Sequence, residues 1–233
     1  MNLEQALKDM SSYKFGQSRK SLVAIGNVVR DSYNKPAERE QLRKRLAGFL
    51  SSDATADSKR FACEQLSIIG TAEEVPALAR LLSDEDLSHP ARIALERIPD
   101  AAAGDALRDA LSKTKGKLLI GVINSLGERR EPASTSSLLP FLSDSDQVIA
   151  GAAAAALGKI GGREAVRALV AARPTASPKV RATIADALLA CAERLLKNDR
   201  KEAAKRIYEG LASPDEAREV QEAARRGFKA VEQ

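Results

Sequence analysis

The side chains best able to do chemistry in this chain are few. There is one histidine, His89, and two cysteines, Cys63 and Cys191, and the rest of the candidates are short runs of acids and Gly-Lys pairs. The stretch "SKTKGKLL" (residues 112–119) has a Gly-Lys pair. It lacks a glycine five residues before Gly116 and a Ser or Thr after Lys117, so its backbone is not set to cradle phosphates. "GKIGG" (Gly158 to Gly162) lacks a strand-to-helix setting, without which glycines do not hold a dinucleotide; it reads as a helix-ending turn. A single histidine cannot build a zinc site alone, and no Cys or carboxylate cluster stands around it at ligand spacing. It also lacks the nearby partners that a nucleophilic triad needs. "SDEDLS" (83–88) and "SDSD" (143–146) concentrate carboxylates without the spacing, central Gly and terminal Glu of a calcium loop. They stand just before predicted helix starts, where negative charge is favourable in itself. Both cysteines lie in apolar runs, "RFACEQL" and "LLACAERLL", and read as small buried hydrophobes. These residues predict no catalytic site, no bound metal and no cofactor.

What remains is the set of elements such side chains would decorate. Apolar residues make up 44% of the chain, aromatics only 3%, and tryptophan is absent. The core must come from Ala, Leu, Ile and Val, and Ala, Leu, Arg, Glu and Lys are strong helix formers. No run of 18 apolar residues suggests a membrane span. The first residues, "MNLEQALKDM", lack a basic start followed by an apolar run, so no secretory signal is expected and the chain is expected to be cytoplasmic. Charge is uneven: residues 1–60 carry a net +5, residues 61–150 a net −5 and residues 151–233 a net +5. Basic ends around an acidic middle do not make one continuous nucleic-acid stripe.

The chain repeats itself. A leucine closes an apolar helix at Leu66, Leu95, Leu126, Leu157 and Leu188, with gaps of 29, 31, 31 and 31. A Leu-Ser pair ends the following helix at Leu50, Leu82, Leu111 and Leu142, with gaps of 32, 29 and 31. Two markers in step at this period predict stacked helix pairs, because one pair cannot bury its apolar face alone. The expected pairs cover 18–51, 57–83, 88–112, 116–143, 147–172 and 178–212, followed by a last helix over 214–231. Boundaries follow from local signals. Gly70 is expected to end a helix in the left-handed conformation, and Thr71 to Glu74 matches a capping box. Ser88 and Ser177 are expected to cap the helices after them. Asp199 to Glu202 and Ser213 to Glu216 are expected to be further capping boxes, with Pro214 opening the last helix.

The stretches "EQLSIIGTAEEVPALARLLSD" and "AAAALGKIGGREAVRALV" resemble HEAT repeats of the short bacterial type, also called PBS-lyase HEAT-like repeats. The resemblance covers most of residues 54–175. It implies an all-α fold: a right-handed α-solenoid of stacked antiparallel helix pairs, of the armadillo type. The layout is one repeat domain over 1–233, with an atypical N-terminal repeat at 1–51, regular repeats at 54–175 and capping repeats at 177–233. In that last segment Ala203, Ile207 and Gly210 resemble part of a TPR unit.

Such folds imply a non-enzymatic protein-interaction scaffold that binds another protein on the concave face lined by the second helices. The candidate contact residues are Arg43, Arg80, Arg108, Arg167 and Arg206, placed along those second helices. "GERREP" (127–132) is a further patch. "SSYKFGQSRK" (11–20) could be a docking edge or could cap the first repeat's apolar end. Nucleic-acid binding on a DNA-glycosylase-like helical fold is the alternative, with scarce aromatics for stacking against it. A bilin-lyase-type enzyme or chaperone, suggested by the repeat's name, comes third. No membrane partner is expected, and the chain is expected to be a monomer.

Overall fold

A computed structural model describes residues 2–231, and every described element is a helix or a turn. They run α1 (Leu3–Ser11), α2 (Lys20–Asp31), α3 (Pro36–Leu50), α4 (Ala56–Ile69), α5 (Val75–Ala79), α6 (Ser88–Arg97), α7 (Ala101–Ala110), α8 (Gly116–Arg129), α9 (Thr135–Leu138), α10 (Gln147–Ile160), α11 (Gly162–Ala172), α12 (Pro178–Lys197), α13 (Lys201–Leu211) and α14 (Arg218–Val231). Short 3₁₀ turns lie at Ala72–Glu74, Pro132–Ser134, Leu139–Ser143 and Arg173–Thr175. The chain forms two compact units, Met1–Ser125 and Leu126–Gln233. No helix among the described residues is long and apolar enough to cross a membrane.

The leucine period is the core of both units. Leu66, Leu95, Leu126, Leu157 and Leu188 are all fully buried, and Leu50, Leu82, Leu111 and Leu142 are buried as well. In the first unit α4 packs on α2 and α6, while the second helices α3, α5 and α7 pack in their own row. In the second unit α10 packs on α12, and α12, α13 and α14 pack on one another. This is the layering of stacked helix pairs, each pair burying the stripe that its neighbour leaves open.

Some second helices are short. Pro140 has no N–H to continue an α-turn, so the segment after α9 tightens into 3₁₀ geometry over Leu139–Ser143. The Thr71–Glu74 capping box is present. The backbone N–H and the hydroxyl of Thr71 both donate to Glu74 Oε2, at 2.9 and 3.0 Å.

Five boundary expectations are corrected. Gly70 does end α4, but in an extended conformation (φ −64°), so left-handedness is not its role. A Cβ there would lie 2.5 Å from the Leu66 carbonyl oxygen and 3.0 Å from Ile98 Cδ1, and this close approach requires glycine. Ser88 does not cap α6: its hydroxyl is buried without a partner, and Asp84 Oδ1 instead accepts from the N–H groups of Asp86 and Leu87. Asp199 does not open α13. It sits left-handed (φ +57°) and closes α12: its N–H donates to the Leu196 carbonyl, and the Arg200 N–H to the Leu195 carbonyl. That pair of bonds is a Schellman stop. Ser213 to Glu216 forms a turn, and α14 begins at Arg218, because Glu216 is drawn inward by two arginines. Ser177 stands at the cap position of α12, yet its hydroxyl makes no capping bond.

Candidate functional site

The second helices carry the expected contact residues, and the structure divides those residues into two kinds. In the first unit Arg43, on α3, is largely buried. Its Nε lies 3.2 Å from Glu74 Oε2 and its Nη2 3.8 Å from Glu73. Glu74 is only 2% exposed and already holds Thr71, and Arg43 sets its charge beside it as an ion pair between α3 and the start of α5, its Nε buried without a hydrogen bond. Arg108, near the end of α7, is turned along its own helix to Asp105. Arg80, just after α5, is exposed and has no hydrogen-bond or ion-pair partner among the described residues. In the second unit Arg167 on α11 and Arg206 on α13 are likewise exposed and unpartnered among the described residues. Three of the five arginines are therefore available to a partner, while Arg43 and Arg108 already have partners inside the fold.

Arg80 shares its row of second helices with a groove. Between α5 and α7 lies an open depression of about 310 Å³ with a floor of Val75, Ala79, Ala102 and Ala106 and with Asp105 and Asp109 on its edge. The small side chains of "AAAGDALRDA" create it: alanines on α7 leave space where larger residues would fill the gap to α5.

Both thiols are buried, and burial raises their pKa. Cys63 is pushed up to about 12 by loss of solvent. Cys191 is also raised by burial, against the opposing charge of Arg194, whose Nη2 lies 3.3 Å from the sulfur. Neither is poised as a nucleophile, since the thiolate is the reactive form. His89 is exposed, with its Nδ1 3.2 Å from an Arg92 nitrogen. No group of three His, Cys, Asp or Glu side chains that could hold a metal occurs among the described residues.

The two patches noted in the sequence resolve differently. In "GERREP", Arg129 is buried against Glu131, its Nε donating at 2.8 Å, and Arg130 takes a left-handed conformation (φ +52°) that turns the chain after α8. In "SSYKFGQSRK", Tyr13 is buried and closes the apolar end beside α1, while Phe15 is 90% exposed. The sequence left capping and docking as alternatives for this segment; Tyr13 is drawn into the core and Phe15 is left outside it.

Residues 104–189 match the sequence profile of the family described as HEAT repeats. Residues 104–189 are HEAT repeats. The HEAT-like fold extends to the whole chain: an archaeal HEAT-like repeats protein from Thermococcus onnurineus NA1 is similar over all of it and over 97% of that protein, at 12% identity and a TM-score of 0.54. Lipovitellin is similar over the full chain at 17% identity and a TM-score of 0.63, and the chain spans only 27% of lipovitellin's length. The complex of CpcE and CpcF of phycocyanin lyase from Nostoc sp. PCC7120 gives 16% identity over 99% of this chain and 95% of that one, with a TM-score of 0.49 that is too low to bear on activity. At these identities the likeness is one of fold. Comparison with curated proteins gave no match.

Proposed function

We propose that this chain is a non-enzymatic scaffold that binds another protein along the second helices of its HEAT-like repeats. The observation that carries this reading is the state of the second-helix arginines. Arg80, Arg167 and Arg206 are exposed and unpaired among the described residues, on helices whose opposite faces are buried in the stack. Arginine presents five donors in a planar fork and is enriched at protein interfaces, so an unpaired one on an ordered helix is ready to engage a carboxylate or a carbonyl row. The α5–α7 groove adds an apolar floor beside Arg80's helix, the usual complement to polar contacts at an interface core. Arg43 serves that surface indirectly, by pairing α3 with Glu74 at the start of α5.

The test is capture of partners on tagged chain at physiological salt, with and without nuclease, comparing wild type with the combined variant Arg80→Glu, Arg167→Glu and Arg206→Glu. A stoichiometric protein that survives nuclease and is lost from the variant supports the reading. A protein that binds both chains equally refutes the assignment of these arginines. Capture that disappears with nuclease transfers the function to nucleic acid.

A further inference from the structure

The N-terminal edge of the first unit carries a second exposed face that the scaffold reading does not use. Residues 14–17 form a tight turn. The Lys14 N–H donates to the Gln17 side-chain carbonyl at 2.8 Å, and the Gln17 N–H donates back to the Lys14 carbonyl at 3.1 Å. Gly16 takes φ +91°, which a side chain would resist. The Phe15 N–H donates to Asp57 Oδ2 at 2.9 Å, so the turn is also tied to α4. Beneath it the hydroxyls of Thr55 and Ser58 donate to the Tyr13 and Met10 carbonyls. An apolar side chain held at 90% exposure on a turn fixed this firmly is presented to solvent by the fold.

The exposed face of α2 continues from that turn. Arg19, Lys20, Val23, Asn27 and Arg30 fall within about 100° of arc at the helical repeat, opposite the buried Leu22, Ile25 and Val29. Val23 is exposed, and Tyr33 follows the helix at 78% exposure. The charge on this face is mostly basic, Asp57 beneath the turn being paired with Arg60. Lys8, Lys14, Arg19 and Lys20 have no ion-pair partner among the described residues. All three acids between residues 2 and 35 are engaged: Glu4 by Arg45, Asp9 by the Gln5 amide and Asp31 by Arg30.

We infer that this face, the 14–17 turn together with the outer stripe of α2, docks peripherally on an anionic lipid surface. Phe15 would enter the boundary between headgroups and acyl chains while Lys14, Arg19 and Lys20 lie among the headgroups. Val23 favours lipid over single-stranded nucleic acid, because an aliphatic side chain in mid-stripe offers no face for a base. This departs from the expectation of no membrane partner. It is independent of the second-helix surface.

The experiment is co-sedimentation of the full chain with vesicles of phosphatidylcholine alone and of phosphatidylcholine with about a third phosphatidylserine. The probes are Phe15→Ser, the pair Arg19→Glu and Lys20→Glu, and, as an equal charge change elsewhere, Arg167→Glu with Arg206→Glu; circular dichroism checks helicity throughout. The expected result is binding to the serine-containing vesicles only. Phe15→Ser should weaken it about tenfold, the Arg19→Glu and Lys20→Glu pair more than about 25-fold, and the Arg167/Arg206 pair should leave it unchanged. Absence of binding to the anionic vesicles overturns the inference. So does equal loss in the Arg167/Arg206 variant, which would show unspecific attraction, or an unaltered affinity in folded Phe15→Ser. Tight binding of a fluorescent oligothymidine through Phe15 and Lys20, with no vesicle binding, would reassign the face to single-stranded nucleic acid. Because Arg80, Arg167 and Arg206 are read separately, failure here leaves the scaffold reading standing, and its failure leaves this one standing.

Discussion

In the first unit, Arg92 on α6 lies over Gly121 of α8 and donates to the Gly121 carbonyl and to Ser125 Oγ, both at 3.0 Å. Ser125 in turn donates to Glu96 Oε1 at 2.6 Å. In the second unit, the first helices approach backbone to backbone, and Arg194 of α12 donates across the seam to the Gly158 and Lys159 carbonyls of α10. A Cβ on Gly127 would lie 2.8 Å from Ala156 Cα, and one on Gly158 would lie 2.5 Å from Ala187 Cβ and 2.9 Å from its Cα. One stacking plan thus joins its first helices through Arg92, Ser125 and Glu96 in one unit and mainly through glycine–alanine approach in the other, where Arg194 adds bonds to backbone carbonyls and the Glu216 joint with Arg173 and Arg181 lies toward the C-terminal end. Polar joints fix register through geometry and penalise the loss of either partner. Small-residue approach fixes register through volume and penalises any added atom.

The largest expected effect falls on what the units share. Leu126→Asp puts a carboxylate at a fully buried position of the leucine period, and should cost about 4 kcal/mol or more. Chemical denaturation read by circular dichroism would show it, and an unchanged midpoint would mean that the leucines are not the common core. Next comes the polar joint. Arg43→Met leaves Glu74 buried without its cation and should cost about 3 kcal/mol. The pair Arg43→Met with Glu74→Leu should recover most of that loss; a double variant as unstable as the single one would contradict the joint.

Glycine substitutions sharpen the contrast further. Gly158→Ala should destabilise by about 1–3 kcal/mol, since its new methyl meets the backbone of α12. Gly121→Ala should cost less, because there the methyl meets only the movable Arg92 guanidinium. Equal losses would show that the two units pack alike. The smallest effect is in the thiols. Both should react slowly with iodoacetamide in the native chain, Cys191 faster than Cys63, because Arg194 favours the thiolate of Cys191 while nothing charged opposes burial at Cys63. The linkage has a sign. A thiol whose pKa is raised on folding keeps its proton after the unfolded chain has lost its own. Its stabilising contribution is therefore whole below the ordinary value of 9.0 and is lost as pH rises toward about 12. Unfolding free energies at pH 8 and pH 11 should accordingly diverge more for wild type than for Cys63→Ala.

The repeat was legible in the sequence because burial at a 31-residue period is a statement about many positions at once. Leu66 through Leu188 needed no knowledge of partners. The misread boundaries are single local strings whose meaning is set from far away. Ser213 to Glu216 has the spacing of a capping box, but Glu216 accepts from Arg181 at 2.8 Å and pairs with Arg173 at 3.0 Å, and those residues stand 35 and 43 positions earlier. Asp199 has the right type for a cap and sits one residue too early, where the end of α12 needs a left-handed residue. The five arginines show the same limit. Their placement on second helices follows from the period, whereas which of them meet an acid depends on where the buried Glu74 and the exposed Asp105 fall. Phe15 and Tyr13 are two residues apart in one string, and only the turn at Gly16 and the bond to Asp57 reveal that one is core and the other protrudes.

The central claim is that the second helices bind the partner while the first helices hold the stack. Hydrogen–deuterium exchange of the chain, alone and with the protein it captures, tests it most directly. The account predicts slower exchange on binding in α5, α7, α11 and α13 and no change in α4, α10 and α12. Slowing confined to α4, α10 and α12 would contradict it.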